Sequence, residues 1–349
     1  MATVLVTGGT GYIGSHTVVE LLGEGHEVVV IDNLSNSEPE VLEGIASITG
    51  KMPFFEEVDL RNREATYGVF EKYPRIDAVI HFAAFKAVGE SVEKPLTYYE
   101  NNLLSLIHLL EAMNRYGVHH FLFSSSCTVY GEPDRLPVTE DAPVKEASSP
   151  YGNTKQISEE ILRDAMVPSP QLRVISLRYF NPIGAHPSAL IGELPLGVPN
   201  NLVPFITQTA IGIRDQLNVF GDDYNTPDGT AIRDYINVVD LARAHVTAID
   251  RMLQGKQRSP YEVFNLGTGK GLSVFEIIHA FEKATGVKVM YRVTGRREGD
   301  VEQVWADTGY ANRELGWKAE RGIGETLLSA WNWEKHLQSK KPADESHSS

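Results

Sequence analysis

Short apolar runs alternate with helical patterns over about the first 180 residues of the chain. Apolar runs of this length, spaced by amphipathic segments, are typical of strands buried in a parallel α/β sheet. The predicted strands are 4–7, 27–31, 53–58, 78–81, 120–124 and 172–177. We therefore expect one parallel sheet covered by helices in this half of the chain.

One predicted helix has a clear start. Ser149 is a typical N-cap residue and Pro150 is favoured at the first helical position. Further along, Ile157, Ile161 and Ala165 recur every four residues and so share one face of the helix. We expect this apolar stripe to be the buried face.

After residue 180 the regular alternation of apolar runs and helical patterns ends. A segment rich in proline and glycine follows, then helices are predicted near 202–213 and 274–285 and a strand ending at Leu266. These features predict a smaller second domain, some segments of which return to the first. The predicted division is 1–180, 181–339 and a flexible tail 340–349.

Composition narrows the class of protein. The 349 residues carry a formal net charge of −14, which argues against general binding of nucleic acid or of anionic membranes. No apolar run approaches the ~20 residues of a spanning helix, and no basic flank marks a leader. Cys127 is the only cysteine, so no intrachain disulfide can form. We expect a soluble, cytoplasmic protein that binds no nucleic acid and no membrane.

A glycine-rich turn joins the first predicted strand to the first predicted helix. Residues 7–14 read TGGTGYIG, in which either Gly8 or Gly9 completes a three-glycine pattern with Gly11 and Gly14. Glycines here let a pyrophosphate approach the helix N-terminus. A tight turn without a ligand is the alternative.

Two acidic residues end neighbouring predicted strands. Asp32 lies 18 residues beyond Gly14, where a carboxylate accepts hydrogen bonds from ribose hydroxyls and repels a 2′-phosphate. No arginine follows it closely, which favours NAD over NADP; a solvated acid is the alternative. Asp59 is equally well interpreted as a contact to adenine and as an acidic loop residue without a ligand.

A tyrosine and a lysine lie one helical turn apart. Tyr151 and Lys155 share a helix face, and the lysine charge favours the phenolate that a tyrosine base needs. The run FSSSCTVYG brings Ser124–Ser126 to the carboxyl end of a strand, the edge where such sheets bind ligands. Alternatively the serines are a polar strand terminus. Cys127 is either a nucleophile or a small buried residue, and the scattered histidines predict no metal site.

Together, TGGTGYIG, Asp32, SSSCTVYG and YGNTK resemble the extended short-chain dehydrogenase/reductase family. The longer runs HFAAFKAVGES, LRYFNPIGAHPS, GVPNNLVPF and DYNTPDGTAIRDYI are similar to its UDP-glucose 4-epimerases, over nearly the whole chain. The resemblance implies a Rossmann-type doubly wound parallel α/β sheet with a smaller C-terminal α/β domain that binds substrate. It also implies bound NAD and a homodimer formed by helices near 98–115 and 151–166.

The resemblance further implies a reversible interconversion of UDP-galactose and UDP-glucose. Tyr151 would take the proton of the sugar 4-hydroxyl while hydride passes to NAD, and the 4-keto sugar would turn over before hydride returns. Lys155 would lower the phenol pKa and hold the nicotinamide ribose, and Ser126 would bind the 4-oxygen.

Binding residues carry over where the motifs match. The implied NAD contacts are Gly8, Gly11, Tyr12, Ile13, Asp32, Asn33, Asn36, Ser37, Asp59, Leu60, Phe82, Ala83, Lys86, Asn101, Ser126, Tyr151, Lys155, Tyr179 and Phe180. The implied UDP-sugar contacts are Lys86, Ser126, Tyr151, Asn181, Asn200, Asn201, Leu202, Asn218, Val219, Phe220, Arg233, Arg297, Asp300 and Val304. Arg233 and Arg297 would clamp the diphosphate, and Asp300 would hold the uridine ribose.

Differences from related enzymes, and the alternative functions that remain, refine these expectations. Related dehydratases carry an acid pair after the catalytic hydroxyl, where this chain has Cys127 and Thr128, which favours simple epimerisation. Val304 is small at the position that, by the family resemblance, borders the sugar 2-substituent, so side activity on UDP-N-acetylhexosamines is expected. The remaining alternatives are an epimerase for another sugar such as UDP-xylose or UDP-arabinose, a dehydrogenase that releases NADH, and a non-catalytic NAD sensor.

Overall fold

The computed structural model describes residues 1–297 and 301–340. Its strands are β1 (Thr3–Thr7), β2 (Glu27–Asp32), β3 (Phe54–Glu57), β4 (Ala78–His81), β5 (His120–Ser126), β6 (Arg173–Tyr179), β7 (Asn181–Ile183), β8 (Leu217–Phe220), β9 (Ile232–Asn237), β10 (Tyr261–Leu266), β11 (Gly271–Ser273), β12 (Tyr291–Thr294) and β13 (Gln303–Val304). Its α-helices are α1 (Tyr12–Gly23), α2 (Glu40–Thr49), α3 (Arg63–Lys72), α4 (Val88–Glu93), α5 (Pro95–Tyr116), α6 (Pro150–Met166), α7 (Leu202–Ala210), α8 (Val238–Leu253), α9 (Val274–Thr285) and α10 (Ile323–Lys340). A 3₁₀ turn spans Cys127–Tyr130 and a π turn Ala311–Leu315.

The main sheet is parallel and doubly wound. Over the described ranges its seven strands lie in the order β10-β6-β5-β4-β1-β2-β3. The chain runs outward from β1 to β3 and then crosses to β4, so the strand order reverses between β1 and β4. Ligands of open α/β sheets bind at the carboxyl ends of the strands at such a point. The predicted Rossmann-type fold class is confirmed.

The predicted strands are all present, with ends that move by one or two residues. β5 continues to Ser126 and β6 to Tyr179 because these last residues pair in parallel register. The helix predicted at 274–285 has those bounds, whereas α7 ends at Ala210. The extra pairing carries the serine run to the very edge of the sheet.

The prediction that the apolar stripe forms the buried face of α6 is wrong. Ile157, Ile161 and Ala165 are only half-buried. The fully buried positions are instead Gly152, Thr154, Lys155, Ser158, Glu159 and Leu162. Apolar periodicity misleads here because the polar side chains of the inner face find buried hydrogen-bond partners on β5 and β6.

Elements from both halves of the chain build the main sheet. α8 packs against α1, and β10 is the edge strand beside β6, although both follow residue 181. The rest of the C-terminal part forms a small sheet around β9 and a separate β8–β12 pair. Its core lies between α7, α9 and α10. In the ranges described, no helix is both long and apolar enough to cross a membrane.

Asn237 connects the two parts and gives a stability prediction. Its side chain accepts from Val239 N at 2.8 Å as the N-cap of α8 and donates to Thr326 Oγ1 of α10 at 3.0 Å. Asn237→Ala removes both bonds at a buried site, so we expect a loss of about 2 kcal/mol in the free energy of unfolding. Urea denaturation measures it.

Asn62→Ala is the matched control. Asn62 caps α3 through one exposed bond to Ala65 N. Loss of that cap costs about 1 kcal/mol. An Asn237→Ala variant no less stable than Asn62→Ala would contradict the buried connection.

Candidate active site

The glycine turn between β1 and α1 is shaped by close backbone contacts. Gly8 has φ +69°, and a Cβ on Gly14 would lie 2.1 Å from the Gly8 carbonyl oxygen. Gly11 is the N-cap of α1, with no side-chain cap and no acid in the first turn. The first-turn N–H groups therefore suit an anion.

Asp32 faces this turn from the end of β2. Its carboxylate accepts from Thr10 N at 3.2 Å, Leu34 N at 3.1 Å and Ser37 Oγ at 3.3 Å. An uncapped helix N-terminus and a carboxylate on the next strand are the donor and acceptor that a dinucleotide requires. The residues present fit NAD.

Asp59 lies beside Asn33 at the neighbouring strand end. Asn33 Nδ2 donates to it at 3.4 Å, and Arg61 pairs with it at 2.7 Å. Hydrogen bonds from Arg61 hold the pKa of the Asp59 carboxyl below its usual range. Both sequence alternatives for Asp59 stay open.

The segment after β4 is held by a residue that sequence reasoning missed. Asn102 of α5 accepts from Phe85 N at 2.8 Å and donates to the Phe85 carbonyl at 3.0 Å and to Thr154 Oγ1 at 3.1 Å. This clamp ties the segment containing Phe82, Ala83 and Lys86 to α5 and α6. Asn101, the predicted contact, donates to the Asn102 side chain. No local pattern distinguishes the two asparagines.

The structure brings the three predicted catalytic residues together. The Ser126 side chain, at the end of β5, lies close enough to Tyr151, in the first turn of α6, to act on the pKa of its phenol. Lys155 Nζ donates to the Ser124 carbonyl at 2.7 Å and lies 6.0 Å from the Tyr151 ring centroid. Ser149 and Pro150 fix this geometry, since they begin α6 as the sequence predicts.

Burial dominates the electrostatics of the site. It raises the pKa of Tyr151 well above the ordinary tyrosine value, against the effect of the Ser126 side chain. It lowers the pKa of Lys155 to about 8, against the negative charge of Glu159. A positive charge beside the phenol would favour its ionisation.

Aromatic residues and a second hydroxyl surround this group. Tyr179 OH lies 2.5 Å from Ser124 Oγ, and burial raises the pKa of Tyr179 to about 12. His245, buried on α8, lies 4.7 Å from the Phe82 ring and 6.0 Å from the Tyr179 ring. Its pKa is lowered to about 4 by burial, so it is neutral.

Glu193 links residues predicted for cofactor and for substrate. Its Oε1 lies 3.7 Å from Lys86 Nζ and accepts from Asn201 Nδ2 at 2.5 Å. Asn201 is the N-cap of α7, but its side chain makes no cap bond. The first turn of α7, which begins at Leu202, therefore keeps free N–H groups. Glu193 carries no sequence signal for this role.

The other predicted substrate residues form two groups. Asn218, Val219 and Phe220 make up most of β8, and Arg297 lies 5.7 Å from the Phe220 ring. Arg233 on β9 is the register partner of Val304 on β13.

Val304 packs in a buried cluster with Phe180 and with Cys127, the neighbour of Ser126. Val304 thus lies close to the catalytic group. Asn218 and Phe220 lie on β8, which pairs with β12 in a sheet separate from the one that contains Val304. Asp300 lies outside the described residues.

The remaining predicted residues lie at the starts of elements or in the segments that adjoin them. Tyr12 and Ile13 begin α1, Asn36 and Ser37 follow β2, Leu60 follows β3, Asn181 begins β7, and Asn200 precedes α7. Tyr12 OH donates to the Gly184 carbonyl at 2.6 Å, which joins α1 to the segment after β7. Among the residues described, no cluster of His, Cys, Asp or Glu could hold a metal ion. All these assignments remain predictions.

Fold and geometry define a Rossmann-type protein built for a dinucleotide. The model of the NAD dependent epimerase/dehydratase family matches residues 4–267. The chain belongs to this family, which confirms the resemblance and the expected NAD cofactor.

Known proteins are similar to the chain over almost its full length. UDP-glucose 4-epimerase of Bacillus subtilis is 54% identical over 95% of this chain and 96% of its own. The crystal structure of UDP-glucose 4-epimerase from Bifidobacterium longum in complex with NAD+ and UDP has a TM-score of 0.93 and 48% identity, covering 97% of this chain and 99% of its own. The Stenotrophomonas maltophila enzyme with bound NAD and formylated UDP-arabinopyranose has a TM-score of 0.94 and 47% identity, covering 98% and 100%.

Asp32 gives a prediction about cofactor choice. Asp32→Ala removes a charged acceptor for ribose hydroxyls and a source of repulsion toward a 2′-phosphate. We expect NAD to bind about ten- to a hundredfold more weakly and discrimination against NADP to relax. Calorimetric titration of both dinucleotides into stripped protein measures this.

Glu57→Ala is the matched control, since Glu57 is an exposed acid at the end of β3. It should leave both affinities unchanged. Mass spectrometry of the cofactor released by wild type is a direct check, and the finding of NADP would overturn the assignment.

Proposed function

We propose that this chain is an NAD-dependent isomerase that interconverts UDP-galactose and UDP-glucose through a 4-keto sugar. The placement of Tyr151 beside Ser126, with Lys155 one turn away, is the observation that carries the proposal. The pair lies at the carboxyl edge of the sheet, where the glycine turn and Asp32 also lie. The similar proteins named above support the choice of sugar nucleotide.

Tyr151 acts as the base at the sugar 4-hydroxyl. The phenolate accepts the 4-hydroxyl proton and later returns it to the same oxygen, which is general acid–base catalysis. Ser126 donates a hydrogen bond to the 4-oxygen and keeps it within reach. Lys155 supplies the positive charge that favours the phenolate. When bound, NAD supplies the hydride acceptor and donor for carbon 4.

Binding residues divide between the two ligands. The first turn of α1 and Lys86 would hold the NAD pyrophosphate, and Asp32 the adenosine ribose. The first turn of α7 at Leu202, with Arg233 and Arg297, would hold the UDP diphosphate.

The residues after Ser126 support epimerisation over elimination of water. Cys127 and Thr128 occupy the positions that follow the serine, and neither is a carboxylic acid. Burial raises the pKa of the Cys127 thiol to about 12, so the thiol is neutral and is no nucleophile. We therefore assign no covalent step to Cys127.

We propose in addition a cytoplasmic homodimer. Large apolar side chains are exposed along one side of α4 and α5: Val88, Val92, Leu96, Leu104 and Ile107. The half-buried Ile157 lies on α6, which packs against α5. An exposed apolar surface of this kind suits an interface with a second copy, and the family resemblance implies the same helices.

The first test is turnover without added cofactor. Purified protein should carry NAD and convert UDP-galactose to UDP-glucose with no added NAD. Tyr151→Phe should retain NAD and lose about 10²–10⁴-fold in kcat, because the base is removed. Near-wild-type turnover by Tyr151→Phe would exclude Tyr151. NADH that accumulates with each cycle, read at 340 nm, would indicate a dehydrogenase instead.

Substrate range is expected to depend on Val304. Wild type should epimerise UDP-N-acetylglucosamine measurably because this pocket wall is small. Val304→Tyr should reduce that rate about 10- to 100-fold and spare UDP-galactose, since overfilling costs roughly 1–3 kcal/mol. Val304→Ala is the control and should keep both activities. If the wild type is inactive on the acetylated sugar, a residue other than Val304 limits the size of the sugar 2-substituent.

The dimer is tested by sedimentation equilibrium. Wild type should have twice the mass of one chain. The double variant Leu104→Glu/Ile107→Glu should have the mass of one chain, because charges are costly in an apolar interface. Met290→Glu, at an exposed residue before β12, is the control. A monomeric wild type, or a dimeric double variant, would contradict the assignment of the face.

A further inference from the structure

A buried polar cluster lies behind the candidate catalytic group. We call Ser125, Glu159 and Arg178 the anchoring cluster. Their side chains are 0%, 2% and 3% exposed, respectively. The mechanism above assigns no role to them.

The cluster ties one helix to two strands. Glu159 Oε1 on α6 accepts from Ser125 Oγ of β5 at 2.7 Å and from Arg178 Nε of β6 at 2.9 Å. Arg178 Nη2 also donates to Glu159 Oε2 at 2.6 Å. Ser125 and Arg178 are register partners in the sheet. The position of α6 against β5 and β6 is therefore fixed by one carboxylate.

The same elements carry the candidate catalytic contacts. Ser125 lies between Ser124, whose carbonyl accepts from Lys155, and Ser126, which lies beside Tyr151. A shift of α6 along β5 would alter both contacts at once. Arg178 Nη1 also donates to Tyr130 OH at 3.0 Å, so the cluster reaches the turn that follows Ser126.

Charge gives the cluster a second effect on Lys155. The groups that face Lys155 or Tyr151 are Glu159 from α6, His81 from β4, Ser126 and the Phe123 ring from β5, Tyr179 from β6, Cys127 from the 3₁₀ turn and Tyr98 from α5. Burial keeps His81 neutral, with a pKa lowered to about 3. Glu159 is the negative group that opposes the burial of the Lys155 ammonium, and Arg178 offsets part of its charge.

We propose that Glu159 is a positioning residue for the proton transfer. Through Ser125 and Arg178 it fixes α6 so that Tyr151 stays beside Ser126, and it places a negative charge one helical turn from Lys155. The inference rests on the proposed function, because it concerns the same proton transfer.

Ser125→Ala tests the anchoring alone. It removes one hydroxyl and leaves the Glu159–Arg178 pair intact. We expect kcat to fall about three- to tenfold, with the KM for UDP-galactose unchanged because no substrate contact is lost. The acid and alkaline limbs of the pH profile of kcat should stay at their wild-type pH values.

Glu159→Gln tests the charge. Glutamine keeps an acceptor for Ser125 but removes the negative charge beside Lys155. We expect kcat to fall about ten- to a hundredfold. We also expect its alkaline limb to move to lower pH, because Lys155 loses its proton more readily. Arg163→Gln is the control on the same helix, since Arg163 is an exposed partner of Glu159. It should keep the wild-type kcat and pH profile.

Three results would overturn the proposal: an unchanged kcat in Ser125→Ala, a change confined to KM, or an unmoved alkaline limb in folded Glu159→Gln. Because Glu159→Gln leaves Arg178 buried without its partner charge, it is the variant at risk of misfolding. If Glu159→Gln misfolds, the kcat and KM of Ser125→Ala alone test the proposal.

A wild type that turns over no UDP-sugar would instead contradict the proposed function. Amide hydrogen exchange of α6 needs no sugar and still tests the anchoring. Exchange in α6 should be faster in Ser125→Ala and not in Arg163→Gln. Equal exchange in the two variants would overturn the anchoring.

Discussion

The attachment of α6 to the carboxyl ends of β5 and β6 is the constraint on which the site depends. A helix usually docks through apolar side chains, but α6 buries Lys155 and Glu159 against the sheet together with Leu162. Burial of charged groups is costly unless each finds a partner. Here the Ser124 carbonyl accepts from Lys155, and Arg178 pairs with Glu159. Such directional bonds fix the helix at one position along the strands, which apolar packing alone would leave less specified.

The reversal of strand order between β1 and β4 is a second constraint, because it determines where the binding residues lie. The glycine turn follows β1 at this point, between the carboxyl ends of β1 and β4. Tyr12 and Gly184, and then Lys86, Glu193 and Asn201, connect this edge to the smaller C-terminal part. Residues predicted to hold NAD and UDP-sugar are therefore linked by the Tyr12–Gly184 hydrogen bond and, separately, by the contacts of Glu193 with Lys86 and Asn201. This arrangement suits a reaction in which hydrogen leaves a sugar and returns to it.

The sequence predicted what local signals determine. Strands of four to seven residues, the glycine turn and the start of α6 follow from apolar runs, glycine spacing and the Ser149–Pro150 pair. The buried face of α6 was predicted wrongly because its partners lie on strands distant in the chain. Asn102, Glu193 and the Glu159–Arg178 pair could not be found for the same reason: nothing in their neighbourhood marks them, and only the folded topology gives them partners.

The fate of the hydrogen at carbon 4 tests the central claim most directly. UDP-galactose labelled with deuterium at carbon 4 is converted by the purified protein without added NAD, and the UDP-glucose formed is examined by NMR. The account predicts that the product keeps its deuterium at carbon 4, because Tyr151 exchanges only the hydroxyl proton and the carbon-bound hydrogen stays in the site. Replacement of the label by solvent hydrogen would contradict the account, since it would mean that carbon 4 is deprotonated rather than oxidised and reduced.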